Sequence, residues 1–269
     1  MTKIKVAVAG CLGRMGQEIS KQVINNKNLE FVGGFEHKNH ININKPLNKV
    51  SNICSSSTVE SNPTQLIKEA HVIIDFTTPE STLQNIKIAS TNKTAVVIGT
   101  TGMTDLQKEK VRNYSKKIPI LMSSNMSIGV NLLFNLVRQT AHALKDTDYD
   151  IEIAETHHKH KKDAPSGTAL SLGEYAAEGR KISFNKSKVL DRTKKLTNRK
   201  KGDIGFSVTR GGEIAGEHTV SFIGENDRVD LVHKANNRSI FVKGAIDAAI
   251  FLSKKKSGFY TMNDLLFSK

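Results

Sequence analysis

The amino-acid sequence predicts an α/β protein: a doubly wound parallel sheet, joined to a second, α+β domain built on an open mixed sheet. Three observations carry that prediction. Strand and helix patterns alternate through the first third of the chain, a glycine-spaced turn follows the first strand, and the alternation breaks after about residue 127. A length of 269 residues suits two domains of ordinary size.

The elements follow in order. Ile4, Val6 and Val8 alternate in a first strand that runs into glycines. Met15, Ile19 and Val23, spaced by four, mark one face of a helix, and FVGGF is a second apolar strand. Residues 37–63, rich in Asn, Ser and Lys, read as a variable connection. A short helix pattern at 64–70 leads to VIIDF, a third buried strand. Residues 80–91 read as helix, AVVIGTT as strand, 104–116 as helix and IPILMS as strand. Beyond SNMSIGVN comes a helix pattern at about 130–145, the strand-like DYDIEIAE, a histidine- and lysine-rich turn and a helix start at PSGTAL. Residues 203–233 alternate like paired strands with turns at GG and GEND, which suggests a largely antiparallel arrangement. The helix pattern at 243–255 is like those of the first half and predicts a return to that domain.

Composition narrows the class. With 38% hydrophobic and 25% charged residues, a collagen-like or fully disordered chain is excluded. No apolar run approaches the roughly 18 residues of a membrane helix, and MTKIKVAVAG enters a strand without a signal-peptide pattern. Cys11 and Cys54 stand far apart in no metal-type spacing, so a reducing cytoplasm is expected. The net charge is +14, and residues 186–201 carry eight Lys/Arg against one Asp, half of that excess. The segment has no interleaved aromatic residue and adjoins no nucleic-acid motif, so it reads as a solvated loop without a specific nucleic-acid partner. A positive field also favours capture of an anionic substrate or cofactor.

The turn AGCLGRMG places Gly10, Gly13 and Gly16 as G-x-x-G-x-x-G, with Leu12 where a second glycine is usual. Gly10 permits a tight exit from the strand, Gly13 lets backbone approach a pyrophosphate, and Gly16 packs the helix on the sheet. Amides at that helix start favour a phosphate, and Arg14 adds charge. Glu36, twenty residues after Gly16 at the end of the second strand, suits the adenosine ribose hydroxyls. His37 and Lys38 beside it suit a 2′-phosphate, so NADH and NADPH are both expected. GTTG (99–102) and SSNM (123–126) end further strands, where a parallel sheet lines its cofactor crevice.

Residues 155–168, ETHHKHKKDAPSGT, are the densest chemistry. Zinc is disfavoured: no cysteine is near, three lysines repel a cation, and His157 and His158 point to opposite sides of an extended segment. An anion site fits better. Lysines supply charge, Pro165 helps start a helix, and Ser166, Gly167 and Thr168 offer backbone amides to a carboxylate. A histidine there titrates near neutrality and suits a general acid. The Glu217–His218 pair, inside a strand pattern, reads as structural.

These segments resemble dihydrodipicolinate reductases. The resemblance spans essentially the whole chain and rests on VAVAGCLGRMG, IDFTTPE, VIGTTG, SSNMSIGVN, EIAETHHKHKKDAPSGTAL, RGGEIAGEHTVSF and GAIDAAIFL. It implies a Rossmann-like dinucleotide domain at 1–127 and 237–269, and a substrate-binding and oligomerisation domain at 128–236 whose sheets pair in a homotetramer. It also implies NADH- or NADPH-dependent reduction of an unsaturated cyclic dicarboxylate in the diaminopimelate route to lysine. Gly10, Cys11, Leu12, Gly13, Arg14, Met15, Glu36, His37, Lys38, Gly99, Thr100, Thr101, Ser123, Ser124, Asn125 and Met126 then match cofactor-contacting positions. His157 and Lys161 match the pair assigned to proton donation, and His158, Gly167 and Thr168 match the substrate-carboxylate site. His37 stands where some members carry an arginine. No metal is implied.

Overall fold

The structure, a computed structural model, describes residues 2–145, 148–193 and 198–268. The chain divides into two compact units, Met1–Ile128 with Ser239–Lys269, and Gly129–Arg238. The first opens with β1 (Ile4–Ala9), α1 (Arg14–Asn25) and β2 (Leu29–Phe35). The polar connection after β2 folds into a one-turn α2 (Leu47–Val50) and a short β3 (Val59–Glu60). Then come α3 (Thr64–Glu69), β4 (Val72–Asp75), α4 (Pro79–Asn92), β5 (Ala95–Ile98), α5 (Asp105–Ser115) and β6 (Pro119–Met122). The second unit is entered by α6 (Ile128–Ala143) and holds β7 (Asp150–His157), α7 (Gly167–Arg180), α8 (Phe184–Ser187) and β8 (Lys188–Val189). It ends with β9 (Ile204–Arg210), β10 (Glu217–Ile223) and β11 (Arg228–Lys234). Finally α9 (Ser239–Leu252), β12 (Gly258–Tyr260) and α10 (Met262–Leu266) belong to the first unit.

Seven parallel strands, ordered β12-β6-β5-β4-β1-β2-β3, make the first sheet. Both faces are covered, which is why its strands read as unbroken apolar runs. Val6, Val8, Val72 and Ile74 turn to the layer of α1 and α9. Ala7, Ile73, Val96 and Ile98 turn to the opposite layer, with Ile67, Ile86 and Val111 of α3, α4 and α5. Each fully buried Val or Ile contributes about 1.5–3 kcal/mol. The chain runs outward from β1 to β3 and then restarts at β4 on the other side of β1. At such a reversal the crossovers leave in opposite directions, and a crevice opens outside the carboxyl ends of β1 and β4.

The second sheet, ordered β11-β10-β7-β9-β8, is mixed. β10 is antiparallel to β7 and β11, but β9 is parallel to β7 and to β8. The expected antiparallel arrangement therefore holds for half of the pairings. The GEND turn closes a hairpin, with Gly224 N donating to Asp227 O. The GG turn does not, because β9 and β10 flank β7 on opposite sides. Residues 211–216 instead cross the end of β7, where His158 N donates to Ile214 O and Lys159 N to Gly212 O. Ile151, Ile153, Val220 and Phe222 face α6 and α7, while Ala154, Ser207 and Val232 lie exposed on the opposite side.

Part of the basic 186–201 segment folds back on β7, where Arg192 pairs with Glu152 and Arg199 with Asp150. Residues 194–197 of that segment lie outside the described residues. No described helix is long and apolar enough to cross a membrane.

Candidate active site

The glycine turn is built for close approach. Gly10 has φ +68°, a left-handed conformation that favours glycine, and a Cβ there would stand 2.9 Å from Thr77 Cγ2. A Cβ on Gly16 would overlap the Gly10 carbonyl, so α1 begins pressed against the turn. Its N-cap, Gly13, offers no side-chain cap, which leaves the helix start suited to a phosphate. Glu36 accepts a hydrogen bond from Leu12 N at 2.8 Å through Oε1, tying the acid at the end of β2 to the loop. Gly10, Gly13, Glu36, His37, Lys38 and Thr77 line one cavity of about 810 Å³. A turn, an acid and a cavity of that size fit a dinucleotide. Cys11 turns its side chain into the core, and burial with the Glu36 charge pushes the thiol up to about 12.

Beside this turn lies a network that sequence patterns did not single out. Asp75, fully buried at the end of β4, accepts from Thr77 Oγ1 (2.6 Å), Thr82 Oγ1 (3.1 Å), Asn85 Nδ2 (2.9 Å) and Thr100 Oγ1 (3.3 Å). Burial raises its carboxyl despite those donors. Thr100 thus turns its hydroxyl inward, while Thr101 is exposed. Phe76 packs where a Gly99 side chain would be. In the SSNM turn Ser123 Oγ donates to Asn125 O at 2.7 Å and Ser124 is exposed, but Met126 is buried in the core. Met126 therefore contributes packing rather than an exposed side chain.

In the second unit the period of two along β7 puts Ile151, Ile153, Glu155 and His157 on the buried face. Glu155 Oε1 accepts from Ser166 N at 2.9 Å and from Arg210 Nη2 at 2.8 Å, and Oε2 lies against His157 Nδ1. Burial alone would raise this carboxyl; His157, Arg210 and the Ser166 amide outweigh it and hold it at about 2. Ser166 Oγ accepts from Ala169 N at 3.1 Å, capping α7, so Gly167 and Thr168 open that helix. A Cβ on Gly216 would stand 2.9 Å from His157 Nε2, so glycine keeps that edge of the ring clear. Lys161 Nζ pairs with Asp163 at 2.8 Å, and His158 Nε2 lies 3.0 Å from Arg238 Nη2.

His218 belongs to this cluster. Its register on β10 sets it opposite Glu155, its Nε2 lies 3.2 Å from Ser166 Oγ, and its ring meets His157 edge-on at 5.1 Å. Burial, then the charge of His157, lowers it to about 4, so it stays neutral near pH 7. The structural reading of the Glu217–His218 pair thus needs correcting in place: His218 packs against the expected proton donor. Pairing register across β7 and β10, which sequence does not display, brings it there. Arg210 was missed for the same reason, through its register with β7, and Arg238 because its partner His158 lies eighty residues away in sequence.

Glu155, His157 and His218 offer ligand atoms within 4.8 Å of one another. The Arg210 guanidinium on the same carboxylate opposes a cation there.

Comparisons with known proteins agree along the chain. The profile described as dihydrodipicolinate reductase, N-terminus, matches residues 4–126, and that described as dihydrodipicolinate reductase, C-terminus, matches 129–266. A 4-hydroxy-tetrahydrodipicolinate reductase of Aquifex aeolicus (strain VF5) is 40% identical, covering 98% of each chain. Its counterpart from Agrobacterium fabrum is 40% identical over 98% of this chain and 96% of its own. Among solved structures, a dipicolinate-bound dihydrodipicolinate reductase from Paenisporosarcina sp. TG-14 superposes with a TM-score of 0.79 at 28% identity, covering 97% and 99% of the two chains. An amine dehydrogenase from Mycobacterium smegmatis, at 7% identity and a TM-score of 0.66, shares the fold.

Proposed function

The chain belongs to the dihydrodipicolinate reductase family, and from that premise we propose how its residues divide the work. It is an oxidoreductase that reduces 4-hydroxy-tetrahydrodipicolinate to tetrahydrodipicolinate in the diaminopimelate route to lysine. The balance requires a hydride and a proton, with loss of water. A nicotinamide cofactor, NADH or NADPH, supplies the hydride when bound. The turn from Gly10 to Met15 would hold its pyrophosphate and Glu36 its adenosine ribose. His37 and Lys38 would meet a 2′-phosphate, and Gly99–Thr101 with Ser123–Asn125 would line the remainder.

His158, Gly167 and Thr168 hold a substrate carboxylate through helix-start amides and local charge. His157 gives the proton from Nε2, and Lys161 balances the negative charge left by hydride addition. The observation that carries this assignment is the position of His157: buried on Glu155, which also binds the backbone of the residue capping α7. Acid and carboxylate cradle therefore share one support. The exposed residues Ala154, Ser207 and Val232, small or β-branched, suit stacking against a second sheet, so we infer a homotetramer; the two free cysteines, Cys11 and Cys54, suit a reducing cytoplasm.

The test is a coupled assay with dihydrodipicolinate synthase, following loss of nicotinamide absorbance. His157→Gln should lower kcat by about two to four orders of magnitude with KM within severalfold. Thr168→Ala should raise KM, and Lys161→Ala should damage both parameters. Near-normal kcat in both His157→Gln and Lys161→Ala would put the chemistry elsewhere.

A further inference from the structure

We propose that Glu155 is a positioning residue for the reduction: it holds His157 by Nδ1, keeps Nε2 as the donating edge and balances the imidazolium charge. The inference rests on the reading of His157 as proton donor. Its ground is geometric. Glu155 has a side chain 1% exposed, on the same strand face as His157 two residues on. Glu155 Oε2 and His157 Nδ1 are both buried and have no other hydrogen-bond partner among the described residues, so each is what the other meets.

The charged groups near the ring, Arg210 and Lys161, point the same way, and His218 beside it is neutral near pH 7. Arg210 faces the pair from β9, His218 from β10, and Lys161 from the turn beyond β7. Asp163 is paired with Lys161, and Glu213, further out, with Lys159. Glu155 is thus the carboxylate in direct contact with the imidazole. Without it, a protonated His157 would stand among cations with no opposing charge beside it. In the transfer itself the Nε2–H bond breaks and its proton goes to the substrate carbanion formed by hydride addition. The imidazolium becomes a neutral imidazole that keeps its Nδ1–H on Glu155, leaving Nε2 to be reprotonated.

The same carboxylate also accepts from Ser166 N, where α7 begins. A shift of Glu155 would displace the proton donor and the carboxylate cradle together. The structure therefore assigns it two tasks that a neutral isostere would split: shape kept, charge lost.

The experiment is the pH profile of kcat in Glu155→Gln and in Arg210→Met, with His157 titrated by NMR in the free protein. Removing the carboxylate charge should move the alkaline limb down by about one pH unit or more and cut kcat near pH 8 about tenfold to a hundredfold. Activity should recover toward the parent value at lower pH, with substrate KM within severalfold and NADH affinity unchanged. Arg210→Met should move the limb the opposite way, a sign that damaged folding does not mimic. Loss that is uniform across pH, or a limb unmoved in both variants, overturns the proposal. If Glu155→Gln does not fold, Arg210→Met carries the test alone. An unchanged His157 titration overturns the pairing whether or not the protein turns over. A shifted titration in a protein without reductase activity would instead support the pairing and sink the functional reading.

Discussion

Lys38 and Glu36 stand at the same strand end with opposite charges, and the proposed use of both coenzymes is tested on the pair. Glu36 favours a free 2′-hydroxyl, while Lys38 lines the same cavity and offers a cation to a 2′-phosphate. Lys38→Ala should therefore weaken NADPH about tenfold while changing NADH little, read as separate dissociation constants by fluorescence. Equal weakening of both would remove Lys38 from the phosphate contact. The geometry of this turn was legible in sequence because Gly10, Gly16 and Glu36 are set by local spacing. Arg210, Arg238 and His218 were not, because their partners lie on strands or turns far away in sequence. Cys11 and Met126 match expected contact positions, yet both side chains are buried.

At the scale of elements, two helix caps of like chemistry separate stability from function. Thr104 caps α5 in a capping box with Gln107 on the surface. Ser166 caps α7 at the proposed carboxylate cradle. Loss of either cap hydroxyl should cost about 1 kcal/mol. Thr104→Ala should lower the melting temperature a few degrees with normal kinetics, whereas Ser166→Ala should also raise substrate KM severalfold. If both variants keep the parent KM, the start of α7 is not the cradle. The helices and buried strands that were expected fell within a few residues of their bounds, since periodicity is a local signal, whereas the short α2, α8 and α10 span too few turns to show one. The GG turn was misjudged because a turn signal says that the chain bends, not which strand it then joins. β7 separates β9 from β10, and only the assembled sheet displays that.

For the whole molecule, acid acts on the two units in opposite senses. His218 is held down at about 4 against an ordinary 6.5, so between those values the unfolded chain binds the proton and the folded second unit does not. Its stability therefore falls as pH drops from about 6.5 to 4, by about 3 kcal/mol at most. Glu155, held at about 2, adds a further loss as pH falls below 4.5. Asp75 in the first unit is raised, so its contribution weakens as pH rises through its folded value and is retained in acid. Calorimetry should show the second unit melting first as pH is lowered, and His218→Gln should flatten the dependence between pH 6.5 and 4. An unaltered slope in that variant would detach the acid sensitivity from His218.

The interruption of the first unit by the second has a consequence for how the protein is made. During synthesis the segment ending at Ile128 emerges with one face of its sheet half bare, because α9 and β12 follow about 110 residues later. Gly244, Ala245, Ala248 and Ala249, the small residues that let α9 settle on that face, leave the ribosome after the whole inserted unit. The inserted unit has all its strands by Lys234 and completes its own core first. The nascent nucleotide fold thus waits, with β6 as an open edge and apolar strands exposed, and its exposure lasts as long as ribosomes take to read the insertion. Slow codons or stalling within 129–238 would lengthen that window, making aggregation of the N-terminal half a hazard set by translation speed rather than by the stability of the finished protein.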